Sequence, residues 1–267
     1  MKANSLLATS DQMVLLVGWS LGGILVAGLG ILQVLGITTI MMFLSALALF
    51  FVKDPSKIVP SNQKKPKPWD RMKEGWSIIL TNPLLRTLSL MEIISGLGES
   101  IWAGSIILVF VKGVLHKGED WWGFINTSHF AGTILGGVLI WKMSKKIENW
   151  IIFSMLIGSL GIGVLTMIFA LSANPWFALA IALLMGPPYQ LRNIAQRTLL
   201  QSHTTAEWLS KVLAAFGTLT FVSYGCSVLL MGWIADHCTV QFVYIFTAGL
   251  NIISAVLALM AKKNTSI

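Results

Sequence analysis

Long apolar runs separated by short polar breaks set the layout of this chain. They extend over about Leu6 to Leu29, Leu32 to Val52, Leu84 to Val111, Trp121 to Trp141, Trp150 to Leu171, Trp176 to Leu191, Val212 to Ala235 and Val240 to Ala261. A hydrocarbon core of roughly 30 Å needs about twenty helical residues, and the runs reach that length, the sixth only by continuing past its prolines. The pattern therefore predicts an all-α membrane protein with about eight transmembrane helices. A short uncharged turn joins the first two runs, and the hinge SANP joins the fifth and sixth. The polar return RNIAQRTLLQSHTTAEWLSK precedes the seventh. A short amphipathic piece, Arg71 to Leu80, stands before the third.

Between the second and third runs lies KDPSKIVPSNQKKPKPWDRMK, Lys53 to Lys73, which a bilayer could not accept. Pro55, Pro60, Pro66 and Pro68 deny it a regular helix, and seven basic residues outnumber its two acids, so it reads as a solvated linker. Short loops rich in Lys and Arg stay on the cytoplasmic side. Alternating the spans outward from this linker puts Lys2, the linker bases, Arg86, Lys142, Lys145, Lys146, Arg192, Arg197, Lys211, Lys262 and Lys263 inside, 17 of the 19 bases. Only Lys112 and Lys117 fall outside. Both termini are then cytoplasmic. Trp121, Trp122 and Trp176 fall at outer span ends and Trp141, Trp150 and Trp208 at inner ones, where amphipathic rings prefer to sit.

Composition narrows the function classes. With 55% hydrophobic residues, 11% charged and a mean hydropathy of +0.76, the chain is not an ordinary soluble domain. The net charge of +8 lies in interhelical loops without interleaved aromatics, which argues for topology and against nucleic acid. Cys226 and Cys238 are twelve residues apart in one predicted helix, about 18 Å, too far for a disulfide. The opening KANSLLATSDQ holds no compact cleavable apolar core, so no signal peptide is expected. His116, His129, His203 and His237 are scattered without metal or triad spacing, and no Gly-rich loop with Lys and Ser or Thr is present to bind ATP. An enzyme is not expected, nor a metal or a cofactor.

An internal repeat links the two ends. Aligning Lys2 with Lys211 sets KANSLLATSDQMVLLVGWSLGGILV over KVLAAFGTLTFVSYGCSVLLMGWIA and brings Gly23 onto Gly232. If the first span is the counterpart of the seventh, residues 1–52 are the last two helices of an N-terminal half. Residues 53–80 are then a cytoplasmic basic linker with an amphipathic segment, and residues 81–267 a complete C-terminal six-helix half.

Polar groups at membrane depth mark where function should lie. Glu92 and Glu99 sit in the third run, and seven helical residues at about 100° each bring both carboxylates to one face, with Ser95 and Gly96 between them. Such a pair suits proton coupling or substrate contact. The alternative has Glu92 paired with Arg86 or Arg192 near the cytoplasmic interface and Glu99 hydrogen-bonded across helices. In the sixth run, Gly186-Pro187-Pro188-Tyr189-Gln190-Leu191-Arg192-Asn193 is expected to break and kink the helix and to place Tyr189, Gln190 and Arg192 at a gate or binding site. Arg192 reads equally as an interfacial anchor. Asn126, Thr127, Ser128 and His129 make a polar patch in the fourth run, and His129 reads either as a packing residue or as a proton relay. Asp11 and Gln12 stand near the cytoplasmic entry of the first run. Gly18 with Gly22, and Gly132 with Gly136, are four apart and admit a close neighbouring helix.

Several of these stretches together resemble the major facilitator superfamily of transporters, in particular its bacterial macrolide-efflux and enterobactin-exporter type. KANSLLATSDQ is similar to the K-A-N-S-L run before the family's fifth helix. Gly18-Trp19-Ser20-Leu21-Gly22-Gly23 resembles the antiporter signature G-P-x-x-G-G, with Trp19 in place of the proline and Val14 where an upstream glycine would fall. Gly137-Val138-Leu139-Ile140-Trp141-Lys142-Met143-Ser144-Lys145-Lys146 is similar to the loop motif G-x-L-x-D-x-x-G-R-K, with Trp141 where the acid would be. Gly232-Trp233-Ile234-Ala235-Asp236 looks like the G-x-L-A-D that ends the family's eleventh helix. The resemblance implies a multi-pass transporter of the bacterial plasma membrane that lacks the first four helices. It further implies proton-coupled efflux of amphipathic small molecules such as drugs or macrolides. Expected partners are a small-molecule substrate, protons or another coupling ion and the lipid bilayer, with a homodimer or a separate N-terminal segment completing the fold. Gly18, Gly22, Gly23, Gly137, Pro187 and Pro188 then serve helix packing and gating. The alternatives are a non-transporting remnant of such a protein, or a uniporter or exporter of a metabolite or siderophore.

Overall fold

The computed structural model describes residues 1–51, 68–102 and 104–265, and it is helical throughout. The helices are α1 (Lys2–Leu29), α2 (Ile31–Leu49), α3 (Pro68–Thr81), α4 (Pro83–Gly96), α5 (Ser105–Gly113), α6 (Asp120–Glu148), α7 (Ile151–Leu171), α8 (Pro175–Ser202), α9 (Ala206–His237) and α10 (Val240–Thr265). A 3-10 turn, Glu99–Trp102, lies between α4 and α5. The linker through Lys67 lies outside the described residues. Met1–Met13 with Pro68–Ile267 forms one compact unit and Val14–Lys67 another.

In the smaller unit, Gly30 at φ +84 turns the chain from α1 into α2, a 19-residue helix with no buried residue. Thr38 and Thr39 return their hydroxyls to the carbonyls of Val34 and Leu35 at 2.8 Å, leaving an apolar exterior suited to lipid.

Five helices among the described residues are long and apolar enough to cross a membrane: α2, α6, α7, α9 and α10. The amphipathic α3 meets α4 at a bend of 105°. Asn82 explains the stop, because it caps α4 by accepting from Leu84 N at 2.9 Å and Leu85 N at 3.3 Å, with Pro83 at the first helical position. Asn174 with Pro175 starts α8 in the same way. On α3, Gly75 lets the helix press on the backbone of Lys211, and Glu74 takes an ion pair from the same lysine.

Three features depart from the sequence pattern. The third apolar run is not one helix: α4 ends at Gly96 and α5 starts after Gly104, which holds φ +74. Glycines at 96, 98 and 104 weaken helix continuity there. The polar return before α9 is mostly helix as well, because Ile194, Ala195, Leu199 and Leu200 are buried and extend α8 to Ser202. Finally, Pro187 and Pro188 do not break α8, which stays helical through both.

Close packing explains how α8 tolerates them. Pro187 has no N–H, so the carbonyl of Leu183 loses its helical donor. That carbonyl oxygen occupies the place a Cβ on Gly132 of α6 would take, a backbone approach that supports a weak Cα–H···O contact. One turn on, a Cβ at Gly136 would lie 2.6 Å from Pro187 Cα, and on α7 a Cβ at Gly158 would lie 2.8 Å from Pro188 O. Glycines on both neighbours thus clamp the double-proline turn. Two apolar clusters flank this level. One is rich in aromatics, with Phe110, Phe169 and Tyr244 buried, and the other centres on Leu85, Leu88, Met91, Met155 and Leu199.

Candidate functional site

The break between α4 and α5 lies between those two clusters and carries Glu99. Its backbone is held by side chains from other helices. Ser100 N donates to Ser227 Oγ of α9 at 3.1 Å, and Tyr244 OH of α10 donates to Ile101 O at 3.2 Å. Gly96 leaves room for Ser223 of α9 and Gly98 for Thr247 of α10. Ser100 N and Ile101 O, released by the broken helix, thus find partners inside the protein, the condition for irregular chain at membrane depth.

Glu99 accepts a hydrogen bond from Tyr189 OH at 2.9 Å. Tyr189 follows the double proline on α8, and Arg192, one turn further, sits over its ring at 5.8 Å. Arg192 is only 4% exposed. Its guanidinium donates through Nε and Nη2 to Asn193 Oδ1, each at 3.1 Å, and through Nη1 to Asn251 Oδ1 of α10 at 3.3 Å. Among the described residues the ion pairs are Lys112 with Glu119, Lys211 with Glu74, and the Met1 amine with Glu148. The expectation that Arg192 anchors at an interface or pairs with Glu92 is therefore corrected: it is a buried cation held by neutral amides and an aromatic face.

Aromatic rings wall the cluster. Trp102 lies parallel to His129 of α6 at 6.2 Å and edge-on to Phe169 and Tyr244 at 5.2 and 5.4 Å. His129 meets Tyr189 edge-on at 5.6 Å, and its Nδ1 is buried with no hydrogen-bond partner. The site thus joins a carboxylate, a phenol, an imidazole and a guanidinium from three elements, the 3-10 turn, α6 and α8, with apolar rings around them.

Other expected residues lie elsewhere. Because the helix ends at Gly96, Glu92 and Glu99 do not share one continuous helical face. Glu92 accepts from Thr220 Oγ1 of α9 at 2.8 Å and from Gln196 Nε2 of α8 at 3.2 Å, while Arg86 is exposed. Gln190 is buried and donates towards Ala8 O at 3.5 Å, away from Glu99. Asn126 spends its amide on Trp122 O of its own helix. Gly137 accommodates the Thr9 side chain, whereas among the described residues no atom lies within 4 Å of a Cβ at Gly18. The side-chain surroundings of Gly22 and Gly23 lie outside the described residues. Trp102, Thr220 and Asn251 escaped the sequence reading. Asn251, a lone amide within the apolar stretch GLNIIS, carried a signal that could have found it.

Comparison with known proteins adds identity to this geometry. The family model described as Major Facilitator Superfamily matches residues 1–225. The uncharacterised MFS-type transporter YfmI of Bacillus subtilis (strain 168) is 38% identical over 255 residues, covering 96% of this chain and 63% of its own. The uncharacterised MFS-type transporter YjbB of the same strain is 28% identical over 258 residues, covering 97% of this chain and 63% of its own. The chain thus spans less than two thirds of the length of these relatives. No solved structure matches it. On the strength of the family match, the chain belongs to the Major Facilitator Superfamily, a family of transporters and not of enzymes.

Proposed function

We propose that this chain works as a secondary active transporter, exporting amphipathic small molecules such as macrolides in exchange for protons, with Glu99 as the proton-binding group. The observation that carries the reading is the Tyr189–Glu99 hydrogen bond at 2.9 Å inside an aromatic-walled break, with Arg192 held nearby by neutral partners. A carboxylate at this depth without an ion-pair partner is costly unless its charge is used. The parallel rings of Trp102 and His129, both partly exposed, offer an amphipathic molecule a flat apolar contact.

In this reading eight spans cross a bacterial plasma membrane with both termini cytoplasmic, α1 and α2 closing an N-terminal half and the rest forming the six-helix C-terminal half. They correspond to the last eight helices of a twelve-helix transporter of the macrolide-efflux type.

Inverted membrane vesicles test this reading. An imposed proton gradient is expected to drive erythromycin uptake by the chain, and Glu99→Gln to reduce it to background. Uptake that ignores the gradient would overturn proton coupling, and no uptake by well-inserted protein would overturn transport by this chain.

A further inference from the structure

The first turns of α1 meet α8 through hydrogen bonds. Asn4 donates its amide to Thr198 Oγ1 at 3.0 Å and to Gln201 Oε1 at 2.7 Å, and Gln190 reaches back to Ala8 O. Between these ties the two helices leave a cavity of about 160 Å³, lined from α1 by Asp11 and Gln12 and from α8 by Tyr189, Gln190, Asn193 and Arg197. Asp11 and Arg197 are exposed and form its mouth, whereas Gln190, 2% exposed, belongs to its inner wall. A cavity of this size has room for about five waters at roughly 30 Å³ each, and Asp11, Gln12, Gln190, Asn193 and Arg197 in its lining are polar groups to which waters can bond.

Tyr189 belongs to both places. Tyr189 lines the cavity, and its hydroxyl donates to Glu99. We infer that this cavity is the proton port of Glu99, a water-filled passage from Asp11 at the mouth to Tyr189 at the inner end. The inference rests on Glu99 being the coupling group. Asp11 gathers protons at the mouth, and the water chain passes them inward. At the inner end Tyr189 breaks its O–H bond to Glu99 while its oxygen takes a proton from the adjacent water. The carboxylate gains one proton, the water chain loses one, and the phenol is regenerated; release runs the same steps backwards.

The charged and titratable groups around Glu99 are few. Glu92 comes from α4, Tyr189 and Arg192 from α8, His129 from α6 and Tyr244 from α10, while α9 contributes the hydroxyls of Ser223 and Ser227. Of these, Tyr189 both touches Glu99 and lines the cavity.

The test follows the proton itself. The chain in liposomes is moved into D2O, and exchange of the Glu99 carboxyl proton is timed from its infrared band, identified as the band lost in Glu99→Gln. Tyr189→Phe removes only the relay hydroxyl, and Ala8→Leu fills the cavity from the opposite wall. Each is expected to slow exchange at least tenfold, and Asp11→Asn to slow it several-fold with recovery in Asp11→Glu. Unchanged exchange in both Tyr189→Phe and Ala8→Leu, with the Glu99 band present, overturns the port. Absence of any exchangeable Glu99 band overturns instead the reading of Glu99 on which the port depends.

Discussion

Tyr189 OH and Glu99 Oε1 lie 2.9 Å apart although 90 residues separate them in sequence, so one hydrogen bond joins the double-proline turn of α8 to the break between α4 and α5. Both partners stand where regular helix is compromised, Glu99 in a glycine-flanked 3-10 turn and Tyr189 just after two residues without an N–H. The neighbouring helices hold both irregularities in place. Ser227 and Tyr244 secure the turn, and the glycines of α6 and α7 clamp the prolines.

The clamp makes Gly132 intolerant of a side chain. A Cβ there would overlap the Leu183 backbone, which cannot swing aside as a flexible side chain would. Gly132→Val should destabilise the bundle by about 1–3 kcal/mol or more. Gly18→Ala, with open space around it, should leave stability unchanged or slightly raised. Thermal unfolding in detergent separates the two, and equal midpoints would dismiss the clamp.

Glu92 has a different environment from Glu99 and a different expected role. Thr220 and Gln196 both donate to it, so it ties α4 to α9 and α8. Glu92→Leu removes this shared acceptor, leaving Thr220 with Phe216 O and Gln196 with Leu88 O, and should cost about 1 kcal/mol, whereas Glu92→Gln keeps an acceptor and should cost less. Proton-driven uptake should survive Glu92→Gln. Loss of uptake with normal stability in that variant would assign Glu92 to coupling.

A pH effect is expected outside the spans. Lys112 donates to Glu119 at 2.7 Å, and this hydrogen bond and charge hold the Glu119 carboxyl below its ordinary range. The pair's contribution is therefore present at neutral pH, where Glu119 is ionised in folded and unfolded chains alike. It is lost as pH falls through the lowered midpoint. An NMR titration of the Glu119 carboxyl carbon should show a low midpoint that returns to the ordinary value in Lys112→Met. An unchanged midpoint would mean that the pair does not form in solution.

Much of this architecture was legible in the chain. Apolar run lengths located most of the helices, whereas the starts of α4 and α8 are set by the Asn82 and Asn174 caps with the prolines that follow them, a signal that apolar run length alone does not use. Ends were less legible: α8 continues through RNIAQRTLLQ because Ile194, Leu199 and Leu200 find burial that polarity along the chain does not reveal. The same limit applies to the site. Glu99, Tyr189, His129 and Arg192 stood out as polar groups at membrane depth, but their partners come from distant helices. Periodicity placed Glu92 beside Glu99 by assuming an unbroken helix, and tertiary contacts at Gly96 and Gly98 overrode it. Asn251 took the role of Arg192's partner that charge alone had given to a glutamate.

The most direct test of the central claim is proton movement in liposomes holding the purified chain, reported by an internal pH dye after an erythromycin gradient is imposed. The account predicts proton flux opposite to the drug in the wild-type chain and flux at the protein-free background in Glu99→Gln of equal insertion and stability. Equal flux from both proteins would contradict it.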